Sequence, residues 1–131
     1  MNNKNIILKR FERAGERLKT ARHLYELAYY EDSISRSYYA IFFATKALLL
    51  TKDIDPRTHS GVKNQFAQHF VKTKEIEPEF NDILKEAKEI REMGDYDEFY
   101  SASPEEARSQ LENAEKFLQR VKAILQEKGF L

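Results

Sequence analysis

The stretch Ser35–Leu50, SRSYYAIFFATKALLL, constrains the fold more than any other part of the chain. From Tyr38 through Ala44 it offers no position suited to face water. A helix that is apolar on all sides has to be covered on all sides, so this stretch predicts the central element of a helical bundle. Arg36 enters one turn earlier, at the edge of that core, where a cation is costly unless it is paired or used. Two later segments also set polar groups in apolar context. They are His59-Ser60-Gly61, after a short loop, and Arg91-Glu92-Met93-Gly94-Asp95-Tyr96, near the end of another helical run.

Apolar residues elsewhere recur at steps of three and four, and nowhere does alternation persist as it would in a strand. Leu8, Phe11, Ala14, Leu18, Ala21, Tyr25 and Ala28 predict a first helix from Asn5 to Ala28. A break at Tyr29–Asp32 should lead into the central helix, and Asp53-Ile54-Asp55-Pro56 should stop it, because a residue before proline is pushed out of the helical region. Val62, Phe66 and Phe70 mark a short third helix with Thr58 as its N-cap. The fourth helix starts at Pro78 and should end or loosen at Gly94, followed by a loop rich in aromatic residues, Tyr96, Phe99 and Tyr100. Ser103-Pro104-Glu105-Glu106 reads as a capping box before a last helix whose stripe of Ala107, Leu111, Ala114, Leu118, Val121 and Leu125 is an up-down bundle seam. The expected fold is therefore all-α, a bundle of four to five helices forming one domain over residues 1–131.

Composition narrows the function. The 22 Lys and Arg are balanced by 22 Asp and Glu, which argues against strong sequence-independent affinity for nucleic acid. Lys9, Arg10, Arg13 and Arg17 do crowd the first helix, where the plainer reading is a solvated face. Without cysteine there is no thiol nucleophile, thiolate metal site or disulfide framework. No Glu stands three residues before His23, His59 or His69, which excludes the di-iron pattern of helical bundles. No metal and no cofactor is implied. Apolar runs fall short of the roughly 20 residues that span a bilayer, so the expectation is a soluble, cytoplasmic protein with no membrane contact.

Taken singly, each polar candidate has an ordinary structural explanation. Arg36 could reach Asp32 one turn back, His59 could serve as a helix-start residue, and Arg91 with Asp95 could be a surface ion pair. Their combination is more telling. "AYYEDSISRSYYAIFFATKALLL", "THSGVKNQF", "REMGDYDEF" and a closing amphipathic helix together resemble the HEPN family (higher eukaryotes and prokaryotes nucleotide-binding), in its small stand-alone prokaryotic branch. The resemblance implies a helical bundle that usually dimerises, a partnership with minimal nucleotidyltransferases, and often a toxin–antitoxin role.

Many HEPN proteins are metal-independent ribonucleases whose signature is an Arg followed, after four to six residues, by a His. A His can handle the proton of the attacking 2′-hydroxyl near neutral pH, and Arg offsets charge developing on phosphorus. The matching segment here starts at Arg91, but Asp95 or Tyr96 stands in the His place. The leading expectation is thus a nucleotide- or RNA-binding module whose cleft holds Arg36, Tyr39, His59, Arg91, Asp95 and Tyr96. A ribonuclease with His59, Arg91 and Asp95 as catalytic candidates is the alternative, and a purely structural dimeric interaction protein is the third reading. A two-fold homodimer is expected because Phe42 and Phe43, like Phe117 and Leu118, point about 100° apart and leave apolar surface to cover.

Overall fold

The computed structural model describes residues 3–131. Among them are five α-helices and no strand: α1 (Lys4–Glu26), α2 (Tyr30–Leu50), α3 (His59–Phe66), α4 (Pro78–Tyr96) and α5 (Pro104–Glu127). Helix α2 is the central element, as its composition demands, with α1, α4 and α5 packed around it and the start of α3 meeting its middle at Tyr38, Tyr39 and Phe42. Two of its buried hydroxyls find carbonyls at 2.8 Å: Ser33 donates across to Ala21 of α1, and Thr45 to Ile41 one turn back.

The helix ends show how far local chemistry decides. Thr58 caps α3 by accepting from the Gly61 amide at 2.9 Å. Ser103 caps α5 by accepting from the Glu106 amide at 3.0 Å, with Pro104 at the first helical position. The Glu106 carboxylate takes the Tyr100 hydroxyl, which ties the preceding loop to the helix it leads into.

Two expected boundaries move. The break between α1 and α2 falls at Leu27–Tyr29, not at Tyr29–Asp32, because Ala28 adopts a left-handed conformation (φ 64°) that closes α1. The Tyr29 amide then bonds the Leu24 carbonyl at 2.9 Å and the Ala28 amide the Tyr25 carbonyl at 3.0 Å. Glu31 and Asp32 become the first turn of α2, where acids suit the helix dipole. Nor does Gly94 end α4, which continues to Tyr96. Gly94 lies in the helix–helix contact, where a Cβ would stand 3.3 Å from Glu31 Oε1, so the missing side chain serves packing.

After Phe66 the chain continues in one wide turn, Ala67–Val71, in which the Lys72 amide reaches back five residues to the Ala67 carbonyl at 2.9 Å. Lys52 steadies this turn from outside. Its ammonium donates to the His69 carbonyl at 2.6 Å, pairs with Glu75, and lies 4.3 Å from the centroid of the Phe70 ring.

Phe117 is fully buried, with Phe66 and Phe80 rings 5.7 and 5.8 Å away, and Leu118 is buried beside it. Phe42 is buried too, and Phe43 is half-covered by arginines of α1. The surplus apolar faces expected on α2 and α5 are therefore filled within the protomer. What remains open is elsewhere: Leu27, Tyr29, Met93, Tyr96 (81% exposed) and Phe99 (95% exposed), with Ile6 and Leu131 also exposed. Tyr100 turns inward against Ile34, Ile90 and Ala107, so only part of the aromatic loop folds back. No helix among the described residues is long and apolar enough to cross a membrane.

Candidate functional site

The aromatic doublet Tyr38-Tyr39 places one ring inside α2's core and the next at its edge. Tyr38 is 1% exposed, and Tyr39 is half-buried. Residues 21 apart in sequence meet here, since the Thr58 cap starts α3 so that His59 faces α2. The Tyr38 hydroxyl and His59 Nδ1 are 2.5 Å apart. The His59 ring stacks on Phe42, with centroids 4.4 Å apart and planes at 21°, and on Tyr38 at 5.6 Å.

Above these rings lies Arg91 of α4. Its guanidinium carbon is 5.5 Å from the Tyr38 centroid and 5.2 Å from that of Tyr39, which is cation–π range. Asp95, one turn on, pairs with it through Nη2 at 3.2 Å. Lys88 and Glu92 form a second pair on the same helix at 2.5 Å.

Electrostatics decide the protonation of the pair below. Burial pushes the Tyr38 hydroxyl well above the usual tyrosine range, with Arg91 acting in the opposite sense. Burial lowers His59, and Arg91, Lys88 and Lys46 lower it further, while Glu92 opposes them. Both groups are therefore neutral at pH 7. Had Nδ1 carried the ring proton, the Tyr38 O–H would be buried with no acceptor, because His59 is its one hydrogen-bond partner among the described residues. The Tyr38 O–H therefore donates to Nδ1, and the proton of the ring sits on Nε2. This arrangement offers an N–H donor, not a base.

The other candidates fall around this cluster. Arg36 is exposed, makes no ion pair among the described residues (Asp32 included), and shares a surface depression with Asp32, Ser35 and Tyr39. A smaller recess of about 70 Å³ adjoins it, lined in part by Asp32, Ser35, Arg91 and Asp95. Tyr96 is not drawn in, since it lines a separate shallow depression with Glu89, Glu92 and Met93. No group of three or more His, Asp or Glu among the described residues could hold a metal ion.

The HEPN domain profile matches residues 7–124 of the chain. The chain belongs to the HEPN family. A protein of Methanocaldococcus jannaschii named "Putative toxin" is 38% identical over 128 residues, covering 98% of this chain and 87% of that protein. A second "Putative toxin" of the same archaeon is 40% identical over 116 residues, covering 88% of this chain and 86% of its own length. A "UPF0332 protein" of Thermotoga maritima is 32% identical over 128 residues, covering 97% of both chains.

In this HEPN protein the helical position one turn after Arg91 is filled by an acid, and a histidine reaches the same neighbourhood from α3. Tyr38 and Phe42 read in the sequence as core alone. They are core, and they also hold His59. The one sequence signal for that double duty was the tyrosine in an otherwise hydrocarbon face.

Proposed function

We propose that this HEPN protein is a nucleotide- or RNA-binding module that recognises phosphate at Arg91 and His59, acting with a minimal nucleotidyltransferase in a toxin–antitoxin-like pair. The supporting observation is the neutral Tyr38–His59 pair with the Arg91 guanidinium over the Tyr38 and Tyr39 rings, which sets a cation and an N–H donor against the same tyrosine. Asp95 occupies the guanidinium as an internal anion. Its order after Arg91 is the less favourable one for a helical pair, and its side chain is 42% exposed, so a phosphate can displace it. Arg36 and Tyr39 extend the polar surface next to this point, Asp95 marks its far rim, and Tyr96 stands apart from it. The names of the two archaeal relatives support the toxin-like part of the reading. The nucleotidyltransferase rests on the family resemblance, and the whole implies a cytoplasmic protein.

Calorimetry with ATP tests the site. Arg91→Ala should weaken binding roughly tenfold or more, the worth of a charge-assisted contact. Asp95→Asn should strengthen it several-fold by freeing the guanidinium. Equal affinities for wild type and Arg91→Ala would remove Arg91 from the site.

The catalytic alternative draws on the nearness of His59 to Arg91 but requires a lone pair at Nε2, which the Tyr38 hydrogen bond assigns to Nδ1. Cleavage of structured RNA in EDTA, lost in His59→Ala, would establish the ribonuclease over the binding module. We also propose a two-fold homodimer through the end of the bundle that exposes Leu27, Tyr29, Met93, Tyr96 and Phe99, since so much open apolar surface is unusual for a monomer. Light scattering at micromolar concentration should give twice 15.5 kDa, and the single-chain mass would defeat the dimer.

A further inference from the structure

Helix α2 carries a second cation-over-ring arrangement beside the first. The Tyr39 and Phe43 centroids are 6.3 Å apart, one helical turn along the same face. Arg91 lies over Tyr39 from α4, and Arg13 and Arg17 lie over Phe43 from α1, at 5.4 and 5.8 Å. Both α1 and α4 pack on α2, so cations from two helices border its half-buried Tyr39–Phe43 face.

Arg13 and Arg17 differ from their neighbours in charge balance. Arg10 and Lys46 share Asp55, and Lys9 pairs with Glu12. Neither Arg13 nor Arg17 has a carboxylate partner among the described residues. A guanidinium attracted to a ring face spends none of its N–H donors there, and those donors suit the paired oxygens of a phosphate. A zero net charge is no objection, because what matters is cations left unneutralised along one face.

We infer that Arg13 and Arg17, held over Phe43, form a second phosphate subsite, and that the Tyr39–Phe43 face is the floor of a groove that takes phosphodiesters of single-stranded RNA. This rests on the reading of Arg91 as a phosphate site and extends it along the same face of α2. Phe43 is a positioning residue for the two arginines. Unlike a nucleotide pocket, this arrangement gains affinity with each added nucleotide.

Calorimetry with 5′-phosphorylated uridine (pU) and its trinucleotide (pUpUpU) tests this, with wild type, Arg91→Ala, Arg13→Gln/Arg17→Gln and Phe43→Leu. The double variant, with Arg13 exposed and Arg17 half-buried, should fold as wild type, checked by its melting curve. Wild type should bind pUpUpU at least tenfold more tightly than pU. The double variant should lose roughly tenfold for pUpUpU, with pU within twofold of wild type. Its slope of log affinity against log salt should fall by about 0.7 per phosphate contact removed. Phe43→Leu should show the same selective loss in smaller measure. Unchanged pUpUpU affinity and salt slope in the double variant would overturn the subsite. So would a change in mass by light scattering, which would make the groove a contact between copies of the chain. Indifference of pU binding to Arg91→Ala would instead defeat the underlying phosphate reading, so the two failures are separable.

Discussion

Tyr38→Phe removes one oxygen from the centre of the candidate site and leaves every ring in place. The stacking partners stay at their present separations, with His59 at 5.6 Å, Phe42 at 5.9 Å and Tyr39 at 5.2 Å, because none of them depends on the hydroxyl. What is lost is one hydrogen bond, worth a net of about 1 kcal/mol. The larger penalty of a stranded buried acceptor, up to ~3 kcal/mol, does not apply. His59 is only half-buried, so its freed Nδ1 can turn to water or take the ring proton. For a chain of this size about 1 kcal/mol lowers Tm by roughly 3–5 °C. Thermal unfolding followed by circular dichroism reads that shift, and nitrogen-15 NMR of the imidazole reads the tautomer. Wild type should show the proton on Nε2, and Tyr38→Phe should lose that preference. A wild-type ring protonated at Nδ1, or a variant with unchanged tautomer and Tm, would refute the argument that Tyr38 sets the chemistry of His59.

The same histidine makes stability depend on pH. Its folded pKa is lowered, first by burial and then by Arg91, Lys88 and Lys46, so the unfolded chain binds the extra proton near pH 6.5 while the folded one does not. Stability is therefore full above about pH 6.5 and falls as pH drops towards the folded pKa, no more steeply than about 1.4 kcal/mol per pH unit for one proton. Urea unfolding between pH 7.5 and 5 should show this fall in wild type and a flatter profile in His59→Phe, and parallel profiles would contradict it. At the α1–α2 turn, Ala28→Gly relieves a left-handed alanine. That relief, about 1–2 kcal/mol, exceeds the 0.5–1 kcal/mol of added chain freedom, so Tm should rise by roughly 2–4 °C in calorimetry. A lower Tm would mean the turn is not under strain.

Features made by neighbours in sequence were legible, and features made by folding were not. Thr58 and Ser103 could be read as caps because a cap bonds within three residues. The α5 stripe could be read because one helix presents it whole. Gly94 misled because its reason for being glycine is Glu31 on another helix, and the Ala28 turn was hidden because no Gly, Asn or Pro marks it. In the site, Arg91 and Asp95 were visible as a pair at helical spacing. The Tyr38–His59 bond was not, since it joins residues 21 apart. The arginines of α1 look like solvated charge until Phe43 is seen beneath two of them.

The wide turn at Ala67–Val71 holds one more residue than an α-helix needs over the same path. Phe66 and Phe70 both point into the core across it, and exposed Gln68 lies between them. Taking one residue out at this point would restore an ordinary helical turn and leave the residues beyond it facing as they do now. A deletion in the first two turns of α3 would swing every later side chain by about 100°. The turn is thus a place where the chain can take up or lose one residue while His59 keeps its station.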